Sequence, residues 1–260
     1  MRHQTEPFRS LSSIAIVTGA GSGIGAALTA QLVARGMTVL AIGRRSALLD
    51  ALAARHPGQV EPLAVDLSTE EAPAAVRAAL GDRPLHYLVH NAAVLGPTGP
   101  LAGVARAAFR QNWETNLAAP LFLTQALLPS MVAGARILHV SSGAAHRPLV
   151  GWGPYCIAKS ALHMLYQCWR EELRARHILV GSARPGVVDT PMQAEIRALD
   201  EATFPEVDTF RKLKANGQLS SPDTVGRFLT WLLLEADAEQ FCAQENDIRD
   251  AALARRWQGG

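Results

Sequence analysis

The chain has 260 residues, 48% of them hydrophobic and 18% charged, with a formal net charge of +2. Such a composition argues for a folded, soluble chain with a substantial core and against a disordered one. Arg44-Arg45 and Arg255-Arg256 are only pairs, so no nucleic-acid partner is expected. The three cysteines, Cys156, Cys168 and Cys242, are scattered and form no Cys-x-x-Cys, which disfavours a disulfide framework. The eight histidines lack His-x-His or His-Glu-x-x-His spacing, so no metal site is expected. Residues 1–12 carry Arg2, Glu6 and Arg9 and read as an N-terminal extension, not a secretory signal. No apolar run approaches the ~20 residues that span a bilayer. A cytoplasmic protein with no membrane partner is expected.

Residues 13–18 form a short β-rich run leading into Gly19-Ala20-Gly21-Ser22-Gly23-Ile24-Gly25, and residues 26–35 read as helix. Strand, glycine turn and helix together form the setting in which backbone N–H groups and a helix N-terminus receive a pyrophosphate. The turn lacks the Gly-Lys-Ser/Thr ending of a nucleoside triphosphate loop, so a dinucleotide is the expected ligand. A second strand over residues 37–42 is followed by Gly43-Arg44-Arg45. An acid there would take a ribose 2′-hydroxyl, whereas arginine accommodates a 2′-phosphate, so NADP(H) is favoured. Arg44 and Arg45 both qualify, and a solvated loop arginine is the alternative for either.

A helix at 47–55 leads to a third strand, 60–65, ending at Asp66-Leu67; a helix at 72–80 leads to a fourth, 85–89, ending at His90-Asn91-Ala92-Ala93. Polar residues at successive strand ends mark where an open parallel sheet places its ligand, although Asp66 also suits a strand-end cap. Residues 109–131 read as one long helix, broken near Pro120, that carries Asn112 and Asn116. Asparagine is mildly unfavourable inside a helix, which marks one of them as kept for a role.

The fifth strand, 136–140, opens onto Ser141-Ser142, and a helix over 154–176 carries Tyr155 and Lys159. Four apart, these two project from one helix face and can meet. A neighbouring ammonium favours the phenolate, which makes the tyrosine a usable proton donor. Alone, the pair is common on helices; its weight comes from its surroundings. A sixth strand over 178–183 precedes the turn-rich loop Arg184 to Met192, a polar helical excursion over 193–217, a helix at 222–234 and a faint edge strand within 241–249. Strand and helix alternate throughout, so the fold class expected is α/β: one doubly wound Rossmann domain over 1–260, with about seven parallel strands and helices on both faces. Residues 191–219 form an insertion read as a substrate lid.

In this order, Thr18-Gly19-Ala20-Gly21-Ser22-Gly23-Ile24-Gly25, Asn91-Ala92-Ala93, Asn116, Ser142, Tyr155-x-x-x-Lys159 and Pro185-Gly186 with Thr190 resemble the short-chain dehydrogenase/reductase family over nearly the whole chain. The resemblance implies a catalytic tetrad of Asn116, Ser142, Tyr155 and Lys159. Ser142 would polarise a substrate carbonyl, Tyr155 would donate the proton, and Lys159 would lower the tyrosine pKa and hold the nicotinamide ribose. Asn116 would support a water that relays protons to the lysine. It also implies cofactor contacts from Gly19, Ser22, Gly23, Ile24, Gly25, Asp66, Leu67, Asn91, Ala92, Tyr155, Lys159, Pro185, Val188 and Thr190. The chain departs from the family pattern at His90, expected to be structural, and at Gln244 in place of a glycine near the last strand.

Gly151-Trp152-x-x-Tyr155-Cys156-x-x-Lys159, Val188-Asp189-Thr190-Pro191-Met192-Gln193 and Leu213-Lys214-x-x-Gly217-x-Leu219 are similar to the branch that contains sepiapterin and benzil reductases. That likeness implies an NADPH-dependent reductase of vicinal diketones or aromatic ketones. Asp247 and Asp250 lie near the place of that branch's pterin-anchoring aspartate without aligning to it. The small-molecule carbonyl would meet Ser142, Tyr155, Trp152, Met192 and Ile196, under an apolar lid with Leu199, Phe204 and Phe210. Two alternatives stay open: a short-chain reductase of 3-oxoacyl chains or cyclic alcohols, and a non-catalytic NADP-binding regulator. A homodimer, or a tetramer built from it, is expected, with Leu117, Leu121, Gln125, Leu162, Leu165 and Trp169 offering surface at helical spacing.

Overall fold

The runs rich in valine, isoleucine and leucine become strands of one parallel sheet in the computed structural model, which describes residues 13–259; the expected extension at 1–12 lies outside the described residues. The strands are β1 (Ile14–Thr18), β2 (Thr38–Gly43), β3 (Val60–Ala64), β4 (Leu85–His90), β5 (Met131–Val140), β6 (Leu179–Arg184) and β7 (Asn246–Asp247). Their order is β3-β2-β1-β4-β5-β6-β7, with every neighbouring pair parallel. The first connections run outward from β1 to β3 and the chain then returns to β4, so the order reverses between β1 and β4. That reversal opens a crevice at the carboxyl ends of the strands.

Alternate strand residues point to opposite faces. Ala15, Val17, Val39 and Ala41 meet α1 (Gly23–Ala34), α2 (Ser46–Arg55) and α9 (Pro222–Leu234) through Leu28, Leu32, Leu49 and Phe228. Ile14, Ile16, Leu88 and Ile137 meet α3 (Ala72–Leu80), α5 (Ala119–Leu127) and α6 (Gly153–Glu172) through Val76, Leu80, Leu123 and Tyr166. Gly226 lets α9 lie close on α1: a Cβ there would sit 3.1 Å from the backbone of Ala27. Both faces are thus apolar, which is why the inner strands show no polar alternation. No helix among the described residues is long and apolar enough to cross a membrane.

Several boundaries differ from the sequence reading. The long helix begins earlier, as α4 (Arg106–Trp113), and its irregularity is a π-turn over Glu114–Ala118. Pro120 is no break: it follows the π-turn directly, in the first turn of α5. The helix ends at Leu127, and β5 starts at Met131 with a register shift before Tyr87 on its neighbour. The faint last strand shrinks to two residues, because Ala238–Ala243 folds as α10. The excursion forms two helices, α7 (Pro191–Ala198) and α8 (Val207–Ala215). Of the residues expected on the surface of the long helices, Leu162 is instead buried. The apolar side chains that α5 and α6 do expose are Phe122, Ile157 and Met164.

Candidate active site

The glycine turn is shaped by what lies directly behind it. Gly19 and Gly23 have φ of +67° and +54°, a region that costs a side chain strain and glycine none. Gly25 does not line the crevice. It lets the first turn of α1 settle on the loop: a Cβ there would lie 2.3 Å from the Gly19 carbonyl oxygen and 2.6 Å from Asn91 Nδ2. Thr18 ties the turn to β4. Its Oγ1 donates to the Val89 carbonyl at 3.1 Å and accepts from the N–H groups of Asn91 and Ala92 at 2.9 and 3.0 Å. Asn91 Nδ2 returns a bond to the Thr18 carbonyl at 2.8 Å.

These groups open onto a cleft of about 610 Å³. One end is walled by Gly19, Ser22, Gly23, Ile24, Arg44, Arg45, Asp66, Leu67, Asn91 and Ala92, and Pro185, Val188 and Thr190 continue the wall towards α7. Arg45 donates to Ser22 Oγ at 2.8 Å, joining the end of β2 to the glycine turn. Arg44 is held more loosely, 4.0 Å from Asp66 Oδ2. Asp66 accepts from the backbone N–H and the hydroxyl of Ser68. Burial works upward on its carboxyl but is outweighed by those bonds and by Arg44, so it sits below the usual carboxylate range. Glycines without room for a side chain, beside the cationic end of β2 and a polar strand end, fit a dinucleotide.

Ser142, Tyr155 and Lys159 line the same cleft. Ser142 follows β5 and accepts from the N–H of Ala144 at 3.2 Å. Burial pushes the Tyr155 hydroxyl up to about 12, with the Ser142 hydroxyl working the other way. Burial brings the Lys159 ammonium down to about 8, opposed by the charge of Glu245. Lys159 Nζ lies 5.7 Å from the Tyr155 ring centroid, in keeping with their shared helix face, and donates to the Val140 carbonyl at 2.9 Å. Asn116, also expected in the group, does not line the cleft. Its Oδ1 accepts from the Val94 N–H at 3.0 Å, and its Nδ2 donates to the Val94 carbonyl and to Asn112 Oδ1, both at 2.9 Å. Asn112 in turn donates to the Leu95 and Gly96 carbonyls. Both helix asparagines are therefore kept, and both hold the loop after β4 against the π-turn.

The far end is aromatic. Trp152 stacks on Phe204 at 4.7 Å and meets the Tyr155 ring edge-on at 6.0 Å. Phe210 lies 5.4 Å from both Trp152 and Phe204. Trp152, Met192, Ile196 and Phe210 line the cleft, while Phe204 is wholly buried behind Trp152. Gly151 permits this closeness, since a Cβ there would lie 2.1 Å from the Thr203 carbonyl oxygen. Two buried donors among these residues, Trp152 Nε1 and Gln193 Nε2, have no acceptor among the described residues.

Outside the wall, His90 is buried with Nε2 2.8 Å from Thr124 Oγ1, and its ring lies 4.8 Å from that of His139, its register partner on β5. Burial lowers the imidazole of His90 to about 3, as suits a structural neutral ring. Asp250 caps α11 (Ala251–Gln258), and Asp247 pairs with Arg184 and Arg249. Sequence reasoning missed Glu245, buried among His146, His163 and Arg184. No spacing along the chain joins these four residues; only the fold does.

A doubly wound sheet with a dinucleotide turn at its switch point, and a tyrosine and lysine on the helix after β5, defines a class of nicotinamide-dependent oxidoreductases. The short chain dehydrogenase model matches residues 13–201, and the chain belongs to that family, whose members bind nicotinamide cofactors and act on CH–OH or C=O groups. It is 31% identical over 238 residues to a benzil reductase ((S)-benzoin forming) of Bacillus cereus, covering 87% of this chain and 94% of the relative. It is 40% identical over 182 residues to a D-erythrulose reductase of Gallus gallus, covering 68% of this chain and 72% of the relative. A short-chain dehydrogenase/reductase structure from Saccharomyces cerevisiae superposes with a TM-score of 0.86 at 26% identity, covering 93% of this chain and 98% of that one.

The glycine turn can be tested directly. Gly25→Ala forces a methyl group against the Gly19 carbonyl, and overpacking of this kind costs about 1–3 kcal/mol. Denaturant titration should show that loss, and fluorescence titration should show weaker binding of the nicotinamide cofactor. Unchanged values for both would mean that the turn can shift to accept the methyl.

Proposed function

We propose that this chain is an NADPH-dependent reductase of vicinal diketones or aromatic ketones. The observation that carries the reading is that Ser142, Tyr155 and Lys159 line one cleft together with the glycine turn and with Trp152, which meets the Tyr155 ring edge-on. The cofactor supplies a hydride to the carbonyl carbon when it is bound. Ser142 donates to the carbonyl oxygen and fixes it beside Tyr155. As the carbon accepts the hydride, negative charge builds on that oxygen, and the Tyr155 hydroxyl gives it a proton. With its pKa held near 12, the phenol releases that proton only as the charge develops. Lys159 holds the ribose, and Asn116 acts through the loop and π-turn that it fixes.

The stacked Trp152 and Phe204, with Met192 and Ile196, suit a flat apolar substituent. Similarity to a benzil reductase supports the same substrate class. A second reading, reduction of a small hydroxylated ketone, is favoured by the 40% identity to a D-erythrulose reductase.

A panel of benzil, phenyl diketones, D-erythrulose and acetoacetyl thioesters, followed by NADPH consumption, tests both readings. Benzil-type substrates should give the highest kcat/KM; a preference for thioesters would overturn the pocket assignment, and one for erythrulose would establish the second reading. Tyr155→Phe should lower kcat by about 10²–10⁴ with little change in cofactor affinity.

Arg44 is the residue we assign to the 2′-phosphate, because Arg45 is already committed to Ser22. A charge-assisted hydrogen bond contributes about 1.5–3 kcal/mol, so Arg44→Ala should weaken NADPH binding roughly ten- to a hundred-fold and leave NADH nearly unchanged. Equal losses for both cofactors would remove the assignment, and Arg45→Ala would then be the variant to measure.

Assembly as a homodimer is proposed through the exposed apolar side chains of α5 and α6, Phe122, Ile157 and Met164. Light scattering at micromolar concentration should give a dimeric mass, and Met164→Glu should shift it towards the monomer. A monomeric mass for the parent chain would refute the proposal.

A further inference from the structure

Glu245 precedes β7 in a chain segment far from the catalytic residues in sequence, yet its side chain is only 6% exposed. Its Oε2 lies 2.6 Å from His146 Nε2 and 3.1 Å from Arg184 Nε. Its Oε1 lies 3.3 Å from His163 Nδ1 and accepts from Ser182 Oγ at 3.0 Å. His146 closes the short turn Gly143–Ala145 that begins at Ser142. His163 stands one helical turn beyond Lys159 and two beyond Tyr155, on the same side of α6. Ser182 and Arg184 belong to β6. One carboxylate therefore grips the Ser142 turn, the Tyr155–Lys159 helix and the neighbouring strand at once. The donor atoms of His146, His163 and Glu245 lie within 4.8 Å of one another, a grouping that also suggests a metal ion. Arg184 already places a fixed cation against Oε2, so the trio is better described as an ion cluster.

Charge gives Glu245 a second consequence. Lys159 is 3% exposed, and a buried ammonium is strongly disfavoured without a compensating anion. The groups that face it are Tyr155 on its own helix, His139 on β5 with His90 stacked beside that ring, and Glu245. Both histidines are held neutral by burial, so Glu245 supplies the negative charge that acts on the lysine. Glu245 itself faces His146, His163, Arg184, Ser182 and Tyr166, with Asp247 on the far side of Arg184. Its carboxyl stays below the usual range: burial works upward, and the bonds from its neighbours outweigh it.

We propose that Glu245 is a positioning residue for the reaction, clamping the Ser142 turn to the Tyr155–Lys159 helix and balancing the buried charge of Lys159. The proposal rests on the catalytic reading of Ser142, Tyr155 and Lys159 given above. The sign of its effect follows. Glu245 raises the pKa of Lys159, so without the carboxylate the ammonium is lost at lower pH. Because kcat/KM reports groups of the free enzyme, its alkaline limb should lie near pH 8 in the parent chain, where burial and Glu245 together set Lys159.

Glu245→Gln keeps the shape and several hydrogen bonds and removes the charge. It should move the alkaline limb acidward by about half a pH unit or more and lower kcat more than it raises KM. NADPH affinity, measured by fluorescence without any carbonyl, should likewise begin to fall at lower pH. His146→Gln, at a partly exposed position, should lower kcat and leave both pH profiles in place, since it loosens the turn but retains the charge. Glu245→Asp should restore the pH profiles towards those of the parent. If Glu245→Gln binds NADPH and shows both pH profiles superimposable on the parent's, the inference is overturned. Tyr155→Phe serves as the control in the same assays. Its failure to lose turnover would overturn the catalytic reading itself, whereas its inactivity beside an unmoved Glu245→Gln profile would remove the role of Glu245 alone.

Discussion

The cleft depends on how the chain crosses from β1 to β4 where the strand order reverses. A hydroxyl, a carboxamide and a missing side chain meet there: Thr18, Asn91 and Gly25. Thr18 satisfies two N–H groups at the end of β4 that no strand could pair, and Asn91 satisfies a carbonyl at the end of β1 in return. The absent Cβ of Gly25 lets α1 begin directly on the turn. A longer side chain at any of these positions would separate the two strand ends. The N-terminus of α1 would then lose its aim into the crevice, where its unpaired N–H groups are useful.

Much of this was legible in the chain because it depends on local order. The strand–turn–helix pattern, the glycines and the four-residue spacing of Tyr155 and Lys159 are short-range features, and their positions survive folding. The inner strands were legible for a related reason: burial on both faces makes each a continuous apolar run. The family resemblance rested on the same short-range motifs, and the match over residues 13–201 bears it out. Boundaries were lost where one side chain decides between states. Pro120 looks like a break until it is seen in the first turn of α5, and Met131 looks helical until its pairing with Leu85 is known.

The rest was hidden because it depends on contacts between distant segments. Asn116 was visible as a special position, but its partners are backbone groups of Val94, 22 residues earlier. Glu245 carries no motif; His146 and His163 lie 99 and 82 residues before it. The sequence places Lys159 on the helix face of Tyr155, but only the fold shows that its ammonium also donates to a strand-end carbonyl. Spacing on a helix establishes which side chains share a face, but not which partner a long, flexible side chain takes.

The third apolar cluster, made from Leu95, Ala144, Leu149, Trp152, Tyr155, Ile196, Phe204, Val207 and Phe210, is distinct from the two that sandwich the sheet. Its members come from loops, from the two short helices α7 and α8 and, in the case of Tyr155, from the first turn of α6. The architecture is therefore held by one set of residues, while the shape of the substrate chamber is set largely by another. Inherited variation in the second set can accumulate without eroding the first, so one scaffold can be retuned for new carbonyl compounds. Tyr155 is where that freedom stops, because it belongs to the chamber and is also the hydroxyl proposed to give up the proton.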